Sequence, residues 1–453
     1  MRVEQVQVEV EHLIKGMYVC QLDRPWLSTP FPFQGFVVRG DRDIAALRKY
    51  CSFVYIDVLR GVPPKVDSGL NRPWRPEVKN VTSTGVETLN IPTPNRRIGQ
   101  NQDFYGINAV PIKVRPDFYR PPKGFRKEMK RAQQFHLDLS REVAGVVDDI
   151  RIGRALSVRG ISRTTQEMVQ SIIRHPDAFV WMIKLRDRDV YSYGHSVRMS
   201  VLSTVLGRHL GLSEHQLDRL ALGSLLCEVG KAKVPRRLLD KKTPLAEEEM
   251  DRMRSHVTEG VHILDRCVGI GDDVIEVVEN HHERFDGSGY PEGKFGDQIP
   301  LLGRIAGLTD TYDAMTSLRP HTDTVFTSAQ ATDFLYDNRD VLFQGQLVEE
   351  FIQALGIYPT GTLVELSTGE VALIKEQNVD QRIQPVVLMV LNSEKKPLEK
   401  FERVDLRGYN NTHEDKPVSI QRGLAAGEFG LDPNVIMETF EAQRPAWRKL
   451  AFG

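Results

Sequence analysis

Cysteine is scarce in this chain. Four occur among 453 residues, at Cys20, Cys51, Cys227 and Cys267, with no CxxC spacing. Scattered thiols in a chain this long read as reduced, which predicts a cytoplasmic setting. Long apolar runs are absent too. No stretch of 18 apolar residues occurs, so no membrane span is expected. The N-terminal MRVEQVQVEVEHL is polar and acidic and lacks the apolar centre of a secretory signal. Neither acid nor base dominates: 60 Lys and Arg face 61 Asp and Glu, a formal net charge of −1. That balance gives no electrostatic case for nucleic acid or an anionic membrane, and leaves room only for a local basic pocket. No GxSxG elbow or Walker loop is found, and no internal repeat or low-complexity tract.

What remains is an ordinary globular composition, 40% hydrophobic and 27% charged, long enough for two or three domains. Residues 1–60 alternate in VEQVQVEV and FVYIDVL, which predicts short strands. Between them DRDIAALRKY predicts a helix with Asp43 as its N-cap. A small mixed α/β domain fits this stretch. Residues 61–125 hold ten of the 25 prolines, including Pro63-Pro64 and Pro121-Pro122, and read as an extended linker. From residue 126 the apolar spacing becomes helical, through SVRMSVLSTVLGRHL and LSEHQLDRLALGSLLCEVG. Ser213 followed by Gln216 predicts a capping box. Successive helices without strands argue an all-α domain over 126–356. Residues 357–453 change again: GTLVELSTGEVALIKE and RIQPVVLMVLNSEKK predict strands, with a hairpin at Ser367–Glu370 and a helix near Asn434–Gln443.

The chemistry concentrates in the helical stretch. Of twelve histidines, four fall in suggestive places: His195 in YSYGHS, His256 in MRSHVTEG, and the adjacent His281 and His282 in ENHHERFDGSGYP. Asp310 follows in IAGLTDTYDAMTS. Imidazole and carboxylate suit Mn, Fe or Zn, and two such ions can share a carboxylate. One histidine alone is more often a satisfied core or surface residue. His209 and His215 read as solvent-facing residues of their helices. An adjacent pair is harder to dismiss, because helical neighbours point about 100° apart and only a site between helices uses both.

HHERFDGSGYPEG, followed by IP and Arg304, resembles the signature of the HD-GYP family almost letter for letter. DTYDAMTSLRP and GKAKVP resemble two further family blocks. The likeness covers Tyr191 to Pro320 well. LIKGMYVCQLDRPWLSTPF and VYIDVLRG resemble the small domain that often precedes HD-GYP domains. The resemblance implies an all-α HD-type fold and metal-dependent hydrolysis of cyclic di-GMP in bacterial signal transduction. It implies two divalent metals, Fe or Mn with Zn as a further candidate, and a hydroxide between them attacking phosphorus. One metal would take His195, Cys227, Glu228 and Asp310; the other would take Glu228, His256, His281 and His282. Lys231 and Arg319 would contact substrate phosphate, and Asp313 would be a hydrogen-bond partner rather than a ligand. The loop from Asp286 to Pro291 would form a lid over the pocket and a surface for diguanylate cyclase partners, with Gly289, Tyr290 and Pro291 binding substrate; a homodimer is also compatible.

The family's namesake pair is changed, however. LLHDxGK has become Leu225-Leu226-Cys227-Glu228-Val229-Gly230-Lys231. Thiolate and glutamate both bind metals, but glutamate is one methylene longer than aspartate. A buried cysteine can equally be a small apolar residue. The base that usually follows the RP step is replaced by His321 and Thr322, and Lys294 stands where an apolar residue is usual. Three readings follow: an active phosphodiesterase with an altered metal site, a non-hydrolytic module that binds nucleotide or a protein partner, and a phosphohydrolase for another nucleotide.

Overall fold

The computed structural model describes most of the chain; residues 1–4, 24–35, 39, 58–60, 64–109, 116–117, 120–123, 155, 186–190, 242, 244, 318–324, 379–381, 414, 426 and 443–453 lie outside the description. The chain divides into two units, with the described residues before 64 in one and those from 110 onward in the other.

The first unit is a four-stranded antiparallel sheet with one helix. Its elements are β1 (Gln5–Glu9), β2 (Tyr18–Leu22), β3 (Phe36–Val37), α1 (Asp41–Tyr50) and β4 (Phe53–Asp57), with sheet order β1-β4-β2-β3. The alternation in VEQVQVEV does what a period of two requires: Val8 is buried with Val54 and Ile56 of the paired strand, while Glu9 is exposed. Asp43 is not the N-cap. The helix starts two residues earlier, after Gly40, so Asp43 lies in its first turn, where a carboxylate still suits the positive helix end.

The second unit opens with twelve helices: α2 (Phe125–Arg151), α3 (Arg159–Arg174), α4 (Pro176–Leu185), α5 (Tyr191–Leu210), α6 (Glu214–Leu226), α7 (Arg236–Leu239), α8 (Glu247–Arg254), α9 (His256–Leu264), α10 (Asp272–Asn280), α11 (Leu301–Thr316), α12 (Ser328–Asp337) and α13 (Gly345–Leu355). The capping box is present, with Ser213 Oγ accepting from Gln216 N at the start of α6. Helices α5, α6, α10 and α11 pack on one another, and α9 packs on α10. His209 departs from expectation: it turns inward from α5 and lies 2.8 Å from Glu350 of α13, because the α5–α13 contact covers that face. Within the expected linker, residues 110–115 are tied to the helices. Ile112 N donates to Gln346 Oε1 at 2.8 Å, and Arg115 N donates to Leu210 O at 3.1 Å.

A five-stranded antiparallel sheet follows, from β5 (Leu363–Leu366), β6 (Val371–Glu376), β7 (Val386–Leu391), β8 (Pro397–Asp405) and β9 (Ile420–Gly423), in the order β8-β7-β6-β5-β9. The expected hairpin joins β5 to β6, with Gly369 at a φ of 85° in the left-handed region. Helix α14 (Leu406–Thr412) links β8 to β9, and α15 (Pro433–Ala442) closes the described chain. The sheet shares a core with Trp181 of α4 and Ile436 of α15. The molecule is thus a mixed N-terminal domain, a helical domain and a β-rich extension. Among the described residues no helix is long and apolar enough to cross a membrane.

Candidate metal centre

Five helices deliver the site. His195 lies on the first turns of α5, Glu228 follows the end of α6, His256 opens α9, His281 and His282 follow α10, and Asp310 sits inside α11. The histidine pair therefore stands at a helix end rather than within a helix. Glu228 leads into a 3-10 turn, Val229–Lys233. Gly230 in that turn has no room for a side chain, since a Cβ there would lie 1.9 Å from His256 O. That approach presses the turn onto α9 and brings Glu228 beside His256.

The side chains gather into two groups. Glu228, His256, His281 and His282 bring one ligand atom each within 4.8 Å of one another, and so do His195, Glu228 and Asp310. Glu228 belongs to both. Its Oε2 is 3.6 Å from His256 Nε2, and its Oε1 is 3.6 Å from His195 Nε2. Lys231 Nζ lies 2.8 Å from Glu228 Oε2 and is partly exposed. Burial alone would raise the Glu228 pKa, but Lys231 and the surrounding imidazoles of His256, His195 and His281 hold it far below the usual carboxylate range.

The histidine-rich group has the donor set that could hold a cation. His256 Nδ1 donates to Met253 O at 2.8 Å and His281 Nδ1 donates to Val278 O at 2.7 Å. A carbonyl can only accept, so both rings carry their proton on Nδ1 and keep a lone pair on Nε2. Both Nε2 atoms are buried without a hydrogen-bond partner among the described residues. Such backbone contacts fix ring and tautomer in metal-binding histidines. Burial keeps these rings neutral, pushing His256 down to about 4 and lowering His281 and His282 as well.

The other group is more charged. His195 Nε2 is 3.1 Å from Asp310 Oδ1, and His195 Nδ1 is 2.7 Å from Asp313 Oδ2. Burial would lower its pKa, but the two carboxylates override that and push it up to about 9. Asp313 is held in turn by Arg198, whose Nε donates to Oδ1 at 2.7 Å and whose Nη2 donates to Oδ2 at 3.0 Å.

Cys227 joins neither group, contrary to its expected place beside His195. Its Sγ is fully buried and donates back to Gly223 O at 3.2 Å, one helical turn earlier. Burial, then the charges of Glu228 and Asp310, push the thiol pKa well up, so it stays protonated. Arg319 and the following His321 and Thr322 lie outside the described residues.

The loop after the histidines closes on the site. Tyr290 stacks on His282 with ring centroids 4.7 Å apart. Gly289 is pinned by sterics, because a Cβ there would lie 2.4 Å from Arg284 N. Glu283 Oε1 accepts from Glu292 N and Gly293 N, and Lys294 pairs with Glu279 at 2.9 Å, which accounts for a charge at that position. Sequence reasoning missed two supports. Arg198 is one, legible in hindsight because His195/Arg198 and Asp310/Asp313 both sit three residues apart on helices. Arg284 is the other, a buried guanidinium that donates to His281 O and Glu283 O.

Comparison with known proteins agrees with this architecture. Residues 180–347 match the HD domain model, and residues 5–161 match a domain of unknown function, DUF3391. The chain carries an HD domain over these residues. A cyclic di-GMP phosphodiesterase of Pseudomonas aeruginosa is 29% identical over 88% of this chain and 88% of its own length. A cyclic di-GMP phosphodiesterase response regulator of Xanthomonas campestris is 34% identical over 34% of this chain and 41% of its own. A 3'3'-cGAMP-specific phosphodiesterase of Vibrio cholerae is 29% identical over 56% and 44%. The chain thus spans most of the first relative and less than half of the other two. The HD-domain match contains His195, Glu228, His256, His281, His282 and Asp310, while the five-stranded sheet lies beyond it.

Proposed function

We propose that this chain is a metal-dependent cyclic di-GMP phosphodiesterase of HD-GYP type. The observation that carries the proposal is the position of Glu228, common to both ligand groups despite its extra methylene. His256, His281, His282 and Glu228 would hold one divalent ion, and His195, Asp310 and Glu228 the other. Fe or Mn suits these nitrogen and oxygen donors, with Zn as a further candidate. Bound ions of this kind supply an acidified water and neutralise charge on phosphoryl oxygens. Lys231, partly exposed beside Glu228, would meet the reacting phosphate, with Arg319 as a second contact. His281 and His256 keep their lone pairs turned into the site through their carbonyl partners. Gly289, Tyr290 and Pro291 would meet the substrate, and diguanylate cyclase partners would approach over the same loop. The P. aeruginosa relative, by its name a cyclic di-GMP phosphodiesterase, supports this substrate over the related cyclic dinucleotide.

One observation favours a second reading. With Cys227 turned away, the His195 group has three side chains where four were expected, so its ion would be held less firmly. A site that keeps one ion and no longer cuts would make the chain a nucleotide-binding regulatory module. Metal content and cyclic di-GMP turnover, measured with Mn or Fe supplied, separate the two. Two ions per chain with turnover supports the enzyme. Tight nucleotide binding without turnover supports the module.

A further inference from the structure

Arg254 ends α8, two residues before His256, and the reading above gives it no role. Its Cζ lies 5.4 Å from the centroid of the Tyr290 ring, and that ring stacks on His282. Tyr290 also meets the His256 ring edge-on at 6.5 Å. A column thus runs outward from the histidine group: imidazole, phenol, guanidinium. The inner end is buried and the outer end is open, with 49% of the Arg254 side chain exposed. Cation–π contact orients a guanidinium without using its N–H donors, which remain free for oxygen acceptors. Its ion pair, with Asp251 at 3.5 Å, is between exposed groups three residues apart, and such pairs contribute little and exchange readily.

A cyclic dinucleotide carries two phosphates. One reacts among the carboxylates and histidines, next to Lys231. The other must lie farther out, and its charge needs a partner at the mouth. After Arg319 the sequence offers Pro320, His321 and Thr322 and no further lysine or arginine within those three positions. We infer that Arg254 is a further substrate-binding residue, held over Tyr290 to take the phosphate of a cyclic dinucleotide that does not react. The inference rests on the proposed phosphodiesterase reading and names how that site holds its ligand.

The test compares wild type, Arg254→Gln and Arg254→Lys in the Mn-loaded full chain. The substrates are cyclic di-GMP and bis(p-nitrophenyl) phosphate, which has only one phosphate. Arg254→Gln should raise KM for cyclic di-GMP about tenfold with little change in kcat, as expected for one charge-assisted contact. The efficiency on cyclic di-GMP relative to the small diester should fall by the same factor, and Arg254→Lys should recover part of it. An unchanged KM, or equal losses on both substrates, overturns the role of Arg254. If the wild type binds cyclic di-GMP without cutting it, equilibrium affinity replaces KM with the same expected ratio. A wild type that neither binds nor hydrolyses cyclic di-GMP brings down the underlying reading instead, so the two failures are told apart.

Discussion

The two ligand groups share Glu228 and differ in almost everything else. Around His256, His281 and His282 the rings are neutral, and backbone carbonyls fix two of them, His256 and His281, with their Nε2 atoms left vacant. Around His195 the ring sits between Asp310 and Asp313 and holds its proton up to a pKa of about 9. The first group gets its geometry from main-chain atoms, which side-chain substitution leaves in place. The second depends on a chain of charged side chains, Arg198 to Asp313 to His195, and each link can fail. The altered HD pair falls on the weaker side: Glu228 still reaches both groups, whereas Cys227 reaches neither.

The largest effect should come from separating the groups. His281→Ala should release the ion of the histidine-rich group and His195→Ala the other, each leaving about one ion per chain by elemental analysis and abolishing turnover. Loss of both ions from either variant would show that the groups do not act as separable halves. Next is Asp313→Asn, which keeps shape but removes the charge that orients His195. Lost second-layer partners of metal-bound histidines typically cost about 10–100-fold in affinity or activity. The loss should appear in retention of one ion only, read by chelator competition.

A smaller effect is expected at Cys227. Cys227→Ala removes a buried thiol whose hydrogen bond goes back to Gly223 O, so metal content should stay at the wild-type level, with about 1 kcal/mol of stability lost in urea unfolding. Loss of an ion would make the thiol a ligand after all. Glu128 on α2 is a control away from both groups. It bonds Ser171 and accepts from Arg174 Nε at 2.9 Å and Nη2 at 3.1 Å. Burial would raise its pKa, but Arg174 and Ser171 bring it below the ordinary carboxylate value. A depressed acid contributes stability that is present above its unfolded pKa and lost as pH falls through the folded one. Glu128→Gln should therefore cost about 2 kcal/mol at neutral pH, less in acid, and leave metal content alone.

Much of the helical domain was legible because periodicity and capping are local. Ser213 and Gln216 start α6 as their spacing requires, and the hairpin at Ser367–Glu370 needs only its own turn residues. Asp310 and the histidines could be named from their motif. Side-chain direction was not legible. Cys227 occupies the expected position, yet its rotamer turns back along α6, and no pattern in the sequence fixes a rotamer. His209 read as exposed because its partner, Glu350, lies 141 residues away on a helix whose packing a local pattern cannot show. Arg198 was missed for the same reason: its value comes from Asp313 across the bundle.

The central claim is that Glu228 is held in common by two metal positions. Electron paramagnetic resonance of the Mn(II)-loaded protein tests it most directly. A spectrum of exchange-coupled ions, lost in Glu228→Ala, is the expected result. The hyperfine pattern of isolated ions in the wild type, at full loading, would contradict it.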